Sequence, residues 1–222
     1  MKMLGKISSF ATSLVLLSFT GGFANAAGET FDADLKRLQD EWARANYQTT
    51  EKHAREAAFT ALVAHASDLA AGYPSRVEAV AWEGIVLSTY AGEVGAMSAM
   101  KYAKAARAAL ERAEKMDPGA LDGGIYASLG ALYSKVPGGF MGFGDDALAA
   151  QYFKKALAVN PANIDSNFFY GEHLLAHGDY AEAVSVLTRA LEAPPVTARP
   201  VFDAGRRAEI RKLLATAQRK AG

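Results

Sequence analysis

Two stretches of the chain, AAQYFKKALAVNP at residues 149–161 and AVSVLTRALEAPP at residues 183–195, repeat one side-chain pattern at an interval of 34 residues. Each has a small residue, a large apolar residue, a second small residue and a proline, spaced 4, 3 and 5 apart. The matched positions are Ala149, Phe153, Ala156 and Pro161, then Ala183, Leu187, Ala190 and Pro195. Because small residues let helices approach and proline ends a helix, the pattern predicts a repeated helical unit.

The segments that precede these stretches carry the other half of the unit. Four positions resemble the W-x2-L-G-x2-Y pattern of the first helix of a tetratricopeptide repeat (TPR), namely Tyr126, Leu129, Gly130 and Tyr133. Gly171 holds the corresponding glycine position in the next segment, where Asn167 replaces the leading aromatic residue. Together with the period, this pattern predicts TPR-like helix pairs at about residues 123–161 and 164–195.

The remaining helices are predicted from weaker signals. Residues 75–118 repeat the 4, 3, 5 spacing in Ala106, Leu110, Ala113 and Pro118, but the register of Trp82 is left open. Divergent amphipathic helices are expected within 31–71, and a capping helix at 200–220. A helix pair cannot bury its apolar stripe alone, so the units must stack. We therefore predict an all-α fold, a TPR-like right-handed α-α superhelix with a C-terminal capping helix, as a single domain over residues 27–222.

Three aspartate and serine positions resemble helix N-caps. Asp145 is expected to cap the helix that carries Ala149. The pairs Ser75 with Glu78 and Asp179 with Glu182 have the spacing of a capping box, in which the two side chains bond to each other's backbone amides.

Composition narrows the function classes. The chain has 222 residues, of which 46 are alanine, with a formal net charge of zero and no cysteine. Zero net charge argues against a general polyanion binder, so no nucleic-acid partner is expected. Without cysteine the chain has no disulfide, no thiolate metal site and no thiol nucleophile.

Residues 1–26 are predicted to be a signal peptide. Lys2 and Lys6 precede an apolar stretch that ends in the small-residue run Ala24-Asn25-Ala26. The stretch is too short to span a bilayer comfortably, and no other segment of the sequence could do so. The sequence therefore predicts export to the bacterial periplasm, as a soluble protein after cleavage near Ala26.

Between the two helices of residues 123–161 lies an insertion, SKVPGGFMGFGDD, at residues 134–146. It lacks the Gly-Lys-Ser/Thr ending of a phosphate-binding loop, so no nucleotide is expected. One interpretation is a tight loop that packs its phenylalanines on the helices. The other is a flap, formed by Phe140, Met141 and Phe143, that shapes a ligand or partner site.

No catalytic constellation is evident, and the protein is predicted not to be an enzyme and to need no cofactor. There is no G-x-S-x-G motif and no coherent arrangement of serine, histidine and acid. His173 and His177 share one helical face and could bind zinc, but no third ligand is evident. They are interpreted as surface histidines and no metal is predicted, with a histidine-dependent metalloprotein as an alternative. The basic residues of the last helix are interpreted as a solvated face, with partner docking as the alternative; they are Arg206, Arg207, Arg211 and Lys212.

The expected binding surface is the concave face of the superhelix. In TPR units, the second, fifth, ninth and twelfth positions of the first helix line this face. In the clearest unit these positions are Asp165, Phe168, Glu172 and Leu175. Apolar residues beside acids suit a peptide or an apolar small molecule. Phe168 could instead pack only against the last helix.

A narrower resemblance rests on several short motifs. These are Trp82-Glu83-Gly84-Ile85-Val86, Val136-Pro137-Gly138, Gly142-Phe143-Gly144-Asp145-Asp146, Asn160-Pro161 and Ala193-Pro194-Pro195. Together they resemble exported bacterial TPR proteins similar to the T-component associated with TRAP-type transporters. The resemblance implies a periplasmic TPR protein that pairs with a substrate-binding protein and offers an apolar tunnel or groove.

These observations lead to a main functional hypothesis and an alternative. The main one is a non-enzymatic periplasmic binding or adaptor protein whose groove takes a protein partner or an apolar ligand. The alternative is a T-component-like accessory of a small-molecule uptake system with an apolar cavity. TPR stacks often associate through their ends, so an oligomer is also considered.

Overall fold

The computed structural model describes residues 21–222, with side chains from residue 30 apart from that of Met97. This part of the chain contains nine α-helices and no strand. They are α1 (Gly21–Tyr47), α2 (Lys52–Gly72), α3 (Val77–Glu93), α4 (Ala96–Met116), α5 (Gly124–Lys135), α6 (Asp146–Val159), α7 (Ile164–His177), α8 (Tyr180–Glu192) and α9 (Pro200–Ala221). Short 3-10 helices lie at Ala120–Gly123 and Gly139–Met141. Most of the predicted signal peptide, residues 1–20, lies outside the described residues.

The helices pack as four consecutive antiparallel pairs, α1–α2, α3–α4, α5–α6 and α7–α8, and α9 follows the last pair. The first helix of each pair also packs on the first helix of a neighbouring pair. This arrangement confirms the predicted all-α, TPR-like superhelix with a terminal capping helix. None of the described helices combines the length and the hydropathy needed to cross a bilayer.

A glycine facing a large apolar side chain joins the two helices of each central pair. A Cβ added to Gly130 would lie 2.7 Å from the Phe153 ring, and one added to Gly171 would lie 2.6 Å from Leu187. Both large side chains are fully buried. The glycines at these positions therefore let the two helices of a pair pack closely, since any side chain there would displace the partner helix.

The same contact settles the register of the α3–α4 pair. A Cβ on Gly84 would lie 2.6 Å from Leu110, so Gly84 is the counterpart of Gly130. Val80, fully buried, then takes the place that Tyr126 holds in the next unit. Trp82 falls two positions later and is not the repeat's leading aromatic residue. The excess length lies mainly in α4, which has 21 residues against 14 in α6.

One of the three predicted caps is confirmed and two are wrong. The Asp145 carboxylate accepts a hydrogen bond from the Leu148 amide at 2.9 Å. Asp179 precedes α8 but makes no side-chain cap bond, because the Glu182 carboxylate instead accepts from the Tyr170 hydroxyl at 3.0 Å. Ser75 does not cap α3 either, since the helix begins one residue later, with Arg76 at the cap.

The two ends of the stack meet. A Cβ on Gly205 of α9 would overlap the Tyr47 ring at the end of α1. The Tyr47 hydroxyl donates to Glu209 at 3.1 Å, and the rings of Trp42 and Phe202 lie 6.3 Å apart. Because α9 returns across the concave side to reach α1, it narrows the groove of the superhelix to a pocket that remains partly open to solvent.

Candidate binding pocket

The pocket lies on the concave side and has a volume of about 540 Å³. Its walls come from the first helix of each pair, α1, α3, α5 and α7, and from α9. Pockets that hold small molecules commonly measure about 300–1,000 Å³ and are lined mainly by apolar side chains. The apolar residues of the wall are Trp42, Trp82, Ile85, Leu121, Ile164, Phe168, Phe169, Val196 and Phe202.

Both tryptophans of the chain belong to this wall. The rings of Trp42 and Trp82 meet edge to face with centroids 6.0 Å apart. The Trp42 indole nitrogen donates a hydrogen bond to the Thr89 hydroxyl at 3.0 Å, so its orientation is held by both a ring contact and a polar one. The indole fluorescence of the protein therefore arises entirely from the pocket.

Arg206 is buried in the pocket wall with an exposure of 5%, so its interpretation as part of a solvated face is wrong. Its guanidinium lies 4.0 Å from the centre of the Phe168 ring and forms 2.7 Å ion pairs with Asp165 and Glu209. Burial lowers the pKa of Arg206, but the nearby carboxylates outweigh burial and raise it above its ordinary value. A buried charge is tolerated here because it is paired.

Arg199 differs from Arg206 in lacking a carboxylate partner at ion-pairing distance among the described residues. Its guanidinium lies 4.1 Å from the centre of the Phe202 ring and 5.1 Å from that of Trp82. Its Nε is buried without a hydrogen-bond acceptor. Desolvation by burial lowers the pKa of Arg199. An anion placed in the pocket would compensate this charge.

The other charged pair of the wall is already neutralised. Lys135 of α5 lies 2.8 Å from Glu172 of α7. Asp165 and Glu209 share the single positive charge of Arg206, and Asp165 also acts on Arg199, where it opposes the fall in pKa caused by burial. Within the part of the chain that the structure describes, Arg199 is the basic residue of the pocket wall that has no carboxylate at ion-pairing distance.

Three of the four predicted groove residues, Asp165, Phe168 and Glu172, line the pocket, whereas Leu175 does not. Phe168 is buried beneath Arg206, so it also packs against the last helix, as the alternative interpretation had it. Sequence reasoning missed Arg199 and Trp42. Neither falls on a repeat position, and the only signal was that each is a large side chain next to a helix predicted to be amphipathic.

The glycine-rich loop divides its apolar residues between two environments. Phe143 packs edge to face on Tyr133, with ring centres 5.6 Å apart, and lies 4.2 Å from the Arg107 guanidinium. Phe140 is fully exposed and Met141 is largely exposed. The three flap residues do not line the pocket. The loop thus packs only one of its two phenylalanines and presents the other to solvent.

The histidine pair of α7 lies outside the pocket, as predicted, but His173 is not a surface residue. It is 7% exposed and its Nδ1 lies 2.9 Å from the Ser134 hydroxyl. His177 is partly exposed and lies 3.1 Å from Asp146, at the start of α6. Asp146 was missed as a neighbour because it is separated from the histidines by a whole helix of sequence.

Comparison with known proteins supports the repeat assignment. Residues 141–200, which span α6 to the start of α9, match a family model described as tetratricopeptide repeat. The fold is that of a TPR protein. A crystal structure of a thermophilic TPR protein from Thermus thermophilus superposes with a TM-score of 0.56 over 89% of this chain and 95% of that one, at 18% identity. No curated protein matches the chain significantly in sequence. TPR folds typically serve as non-catalytic scaffolds for protein interactions.

Proposed function

We propose that this chain is an exported, non-catalytic binding protein whose concave pocket holds a small molecule with an apolar body and an anionic group. The observation that carries the proposal is Arg199, a partly buried cation without a carboxylate partner that lies against two aromatic faces of the pocket. The aromatic wall suits the apolar part of the ligand, and the guanidinium suits its carboxylate or phosphate.

The closure by α9 favours a small molecule over a long peptide. An open TPR groove can hold an extended or helical segment along its length. Here Arg206 covers Phe168, and α9 spans the concave side to reach Tyr47. A ligand of the pocket's volume, or the carboxylate end of a chain, fits this space. A continuous helix does not.

The cellular setting is part of the proposal. The arrangement of charge, apolar stretch and small residues in 1–26 supports export to the periplasm. An apolar tunnel or groove is also what the resemblance to the T-component of TRAP transporters implies. In that role, the protein would hand its ligand to or receive it from a periplasmic substrate-binding protein.

Tryptophan fluorescence tests the pocket directly, because both tryptophans lie in its wall. Octanoate and octanol have matched apolar chains and differ in charge. We expect saturable quenching or a spectral shift with octanoate, and binding of octanol at least about tenfold weaker, a difference of about 1.4 kcal/mol. Equal responses to the two compounds would contradict an anion-recognising pocket.

A matched pair of variants assigns the charge to one residue. Arg199→Met removes the guanidinium and keeps an apolar stem, whereas Arg211→Met makes the same change at an exposed position of α9. Octanoate binding should weaken at least about tenfold in the first variant and stay unchanged in the second. Native mass spectrometry of the protein purified from its periplasm should then show a bound anionic compound.

A second candidate function rests on a different observation, the exposed apolar tip of the loop at Phe140 and Met141. Phe140 and Met141 are neighbours and form one exposed apolar tip, and contiguous exposed apolar surface is a feature of protein contact sites. We propose that a periplasmic substrate-binding protein contacts this tip. Replacement of both residues by serine should abolish its recovery in pull-downs while octanoate binding is retained. Recovery equal to that of the wild type would exclude the tip.

A further inference from the structure

Three side chains from two helices converge on the outer surface of the stack. They are Asp146 at the start of α6, and His173 and His177 on α7. One donor atom from each residue lies within 4.8 Å of those of the other two. None of the three residues lines the proposed ligand pocket, although His173 lines a small neighbouring cavity that shares Lys135 and Glu172 with the pocket wall.

Each histidine ring has one nitrogen already held by the protein. Nδ1 of His177 lies 2.8 Å from the backbone carbonyl of His173, which can only accept, so this nitrogen carries the proton and Nε2 is unprotonated in the neutral ring. Nδ1 of His173 is hydrogen bonded to the Ser134 hydroxyl. Metal-binding histidines are characteristically oriented in this way, with the second nitrogen bonded to a carbonyl or hydroxyl.

The electrostatic setting also favours a cation. Asp179 lies close enough to influence both histidines and adds a second carboxylate near the cluster. No positively charged side chain forms an ion pair with Asp146 in the described structure other than His177.

We propose that Asp146, His173 and His177 bind a divalent transition-metal ion of the zinc class, with solvent completing the coordination. Two imidazole nitrogens and one carboxylate oxygen suit zinc, nickel or copper better than magnesium or calcium, which prefer oxygen ligands alone. Tetrahedral zinc bonds of about 2.0–2.1 Å place ligand atoms about 3.3 Å apart. His177 Nε2 and Asp146 lie 3.1 Å apart already. A small side-chain movement brings in His173.

A bound metal ion would join two neighbouring helix pairs of the stack. Asp146 belongs to the α5–α6 pair and both histidines belong to the α7–α8 pair. The metal would link two successive units of the stack. Because the ion would bind the folded chain and not the unfolded one, it would stabilise the fold.

Zinc titration of tag-free, chelator-treated protein tests the site. We expect one zinc ion per chain by isothermal titration calorimetry, with no comparable binding of magnesium. At zinc concentrations about 100 times the dissociation constant, the melting temperature should rise by about 5–10 °C. No measurable zinc binding up to the millimolar range, or equal binding of magnesium, overturns the proposal.

Substitutions at exposed ligands identify the site without disturbing the core. His177→Gln and Asp146→Asn should each weaken zinc binding at least about tenfold, and Ser134→Ala, which frees His173, by about tenfold. His53→Gln, an exposed histidine at the start of α2, is the matched control and should bind as the wild type does. If His177→Gln and Asp146→Asn both retain their helical spectrum and bind zinc with wild-type affinity, the assignment is wrong.

Discussion

The glycine contacts inside the helix pairs and the glycine contact that closes the stack differ in how far apart their residues lie in sequence. Gly171 meets Leu187 only 16 residues later, and Gly130 meets Phe153 after 23. Gly205 meets Tyr47 across 158 residues. The first kind recurs along the chain as a pattern, whereas the second occurs once and depends on the curvature accumulated over the whole superhelix.

The two kinds of contact also differ in what surrounds them. Phe153 is enclosed by helices of its own pair and by Tyr170 of the next one, with ring centres 5.7 Å apart. Tyr47 at the closure is only partly buried. In a repeat protein, stability is approximately a sum of the units and their nearest-neighbour interfaces. Disturbing an internal contact should therefore weaken the whole stack, and disturbing the closure should mainly release its ends.

The largest expected effect follows from deletion of an internal contact. Phe153→Ala removes a fully buried ring and leaves a cavity facing Gly130, which should lower the free energy of unfolding by about 3–5 kcal/mol in urea denaturation. Phe140→Ala is the matched control, because the same ring is removed from a fully exposed position of the same unit. That change should stay within about 0.5 kcal/mol.

A loss of less than about 1 kcal/mol in Phe153→Ala would mean that the α5–α6 pair rearranges to fill the cavity. The comparison between internal and closing contacts would then fail at its first step, because the internal contact would not be the rigid one.

Alanine substitution at two glycines should change the stability less, and the two changes should have opposite signs. Gly130→Ala forces a methyl group against the buried Phe153 ring, at a cost of about 1–3 kcal/mol. Gly92→Ala, near the end of α3, meets nothing within 4 Å and should gain up to about 0.5 kcal/mol through helix propensity. Thermal melts of the two variants should move in opposite directions. Stabilisation of both would show that the helices of the α5–α6 pair are not in close contact at Gly130.

The same distinction between local and long-range contacts explains how much of the fold could be predicted. The small positions and the prolines act within one helix pair, so their spacing alone predicted the stack. Asp145 was predicted as a cap because its bond to Leu148 is local. Asp179 failed as a cap because Glu182 bonds to Tyr170, a residue on the other helix of the pair, and a capping-box pattern contains no information about that partner.

Only the pocket residues that occupy repeat positions were predicted from the sequence. Asp165, Phe168 and Glu172 occupy standard positions of the concave face and do line it. Arg199 and Arg206 reach the pocket because α9 crosses the groove, and the path of α9 is set by its contact with α1. Without knowledge of that path, a run of basic residues on a terminal helix indicates a solvent-exposed face.

The smallest global effect is expected from alanine at the closing glycine. Gly205→Ala places a methyl group on the near end of the Tyr47 ring, so the α1–α9 contact must shift. This contact joins only the two ends of the stack, and the gain in helix propensity offsets part of the cost. The free energy of unfolding should therefore change by less than about 1 kcal/mol, while α9 and the end of α1 separate more readily. Hydrogen exchange should report this as amides in those two segments exchanging about fivefold faster or more, with α5 and α6 unchanged. Gly92→Ala should leave exchange in α9 as in the wild type. Equal acceleration in α5 and α6 would show instead that the ends and the centre open as one cooperative unit, and that the closing contact belongs with the internal ones.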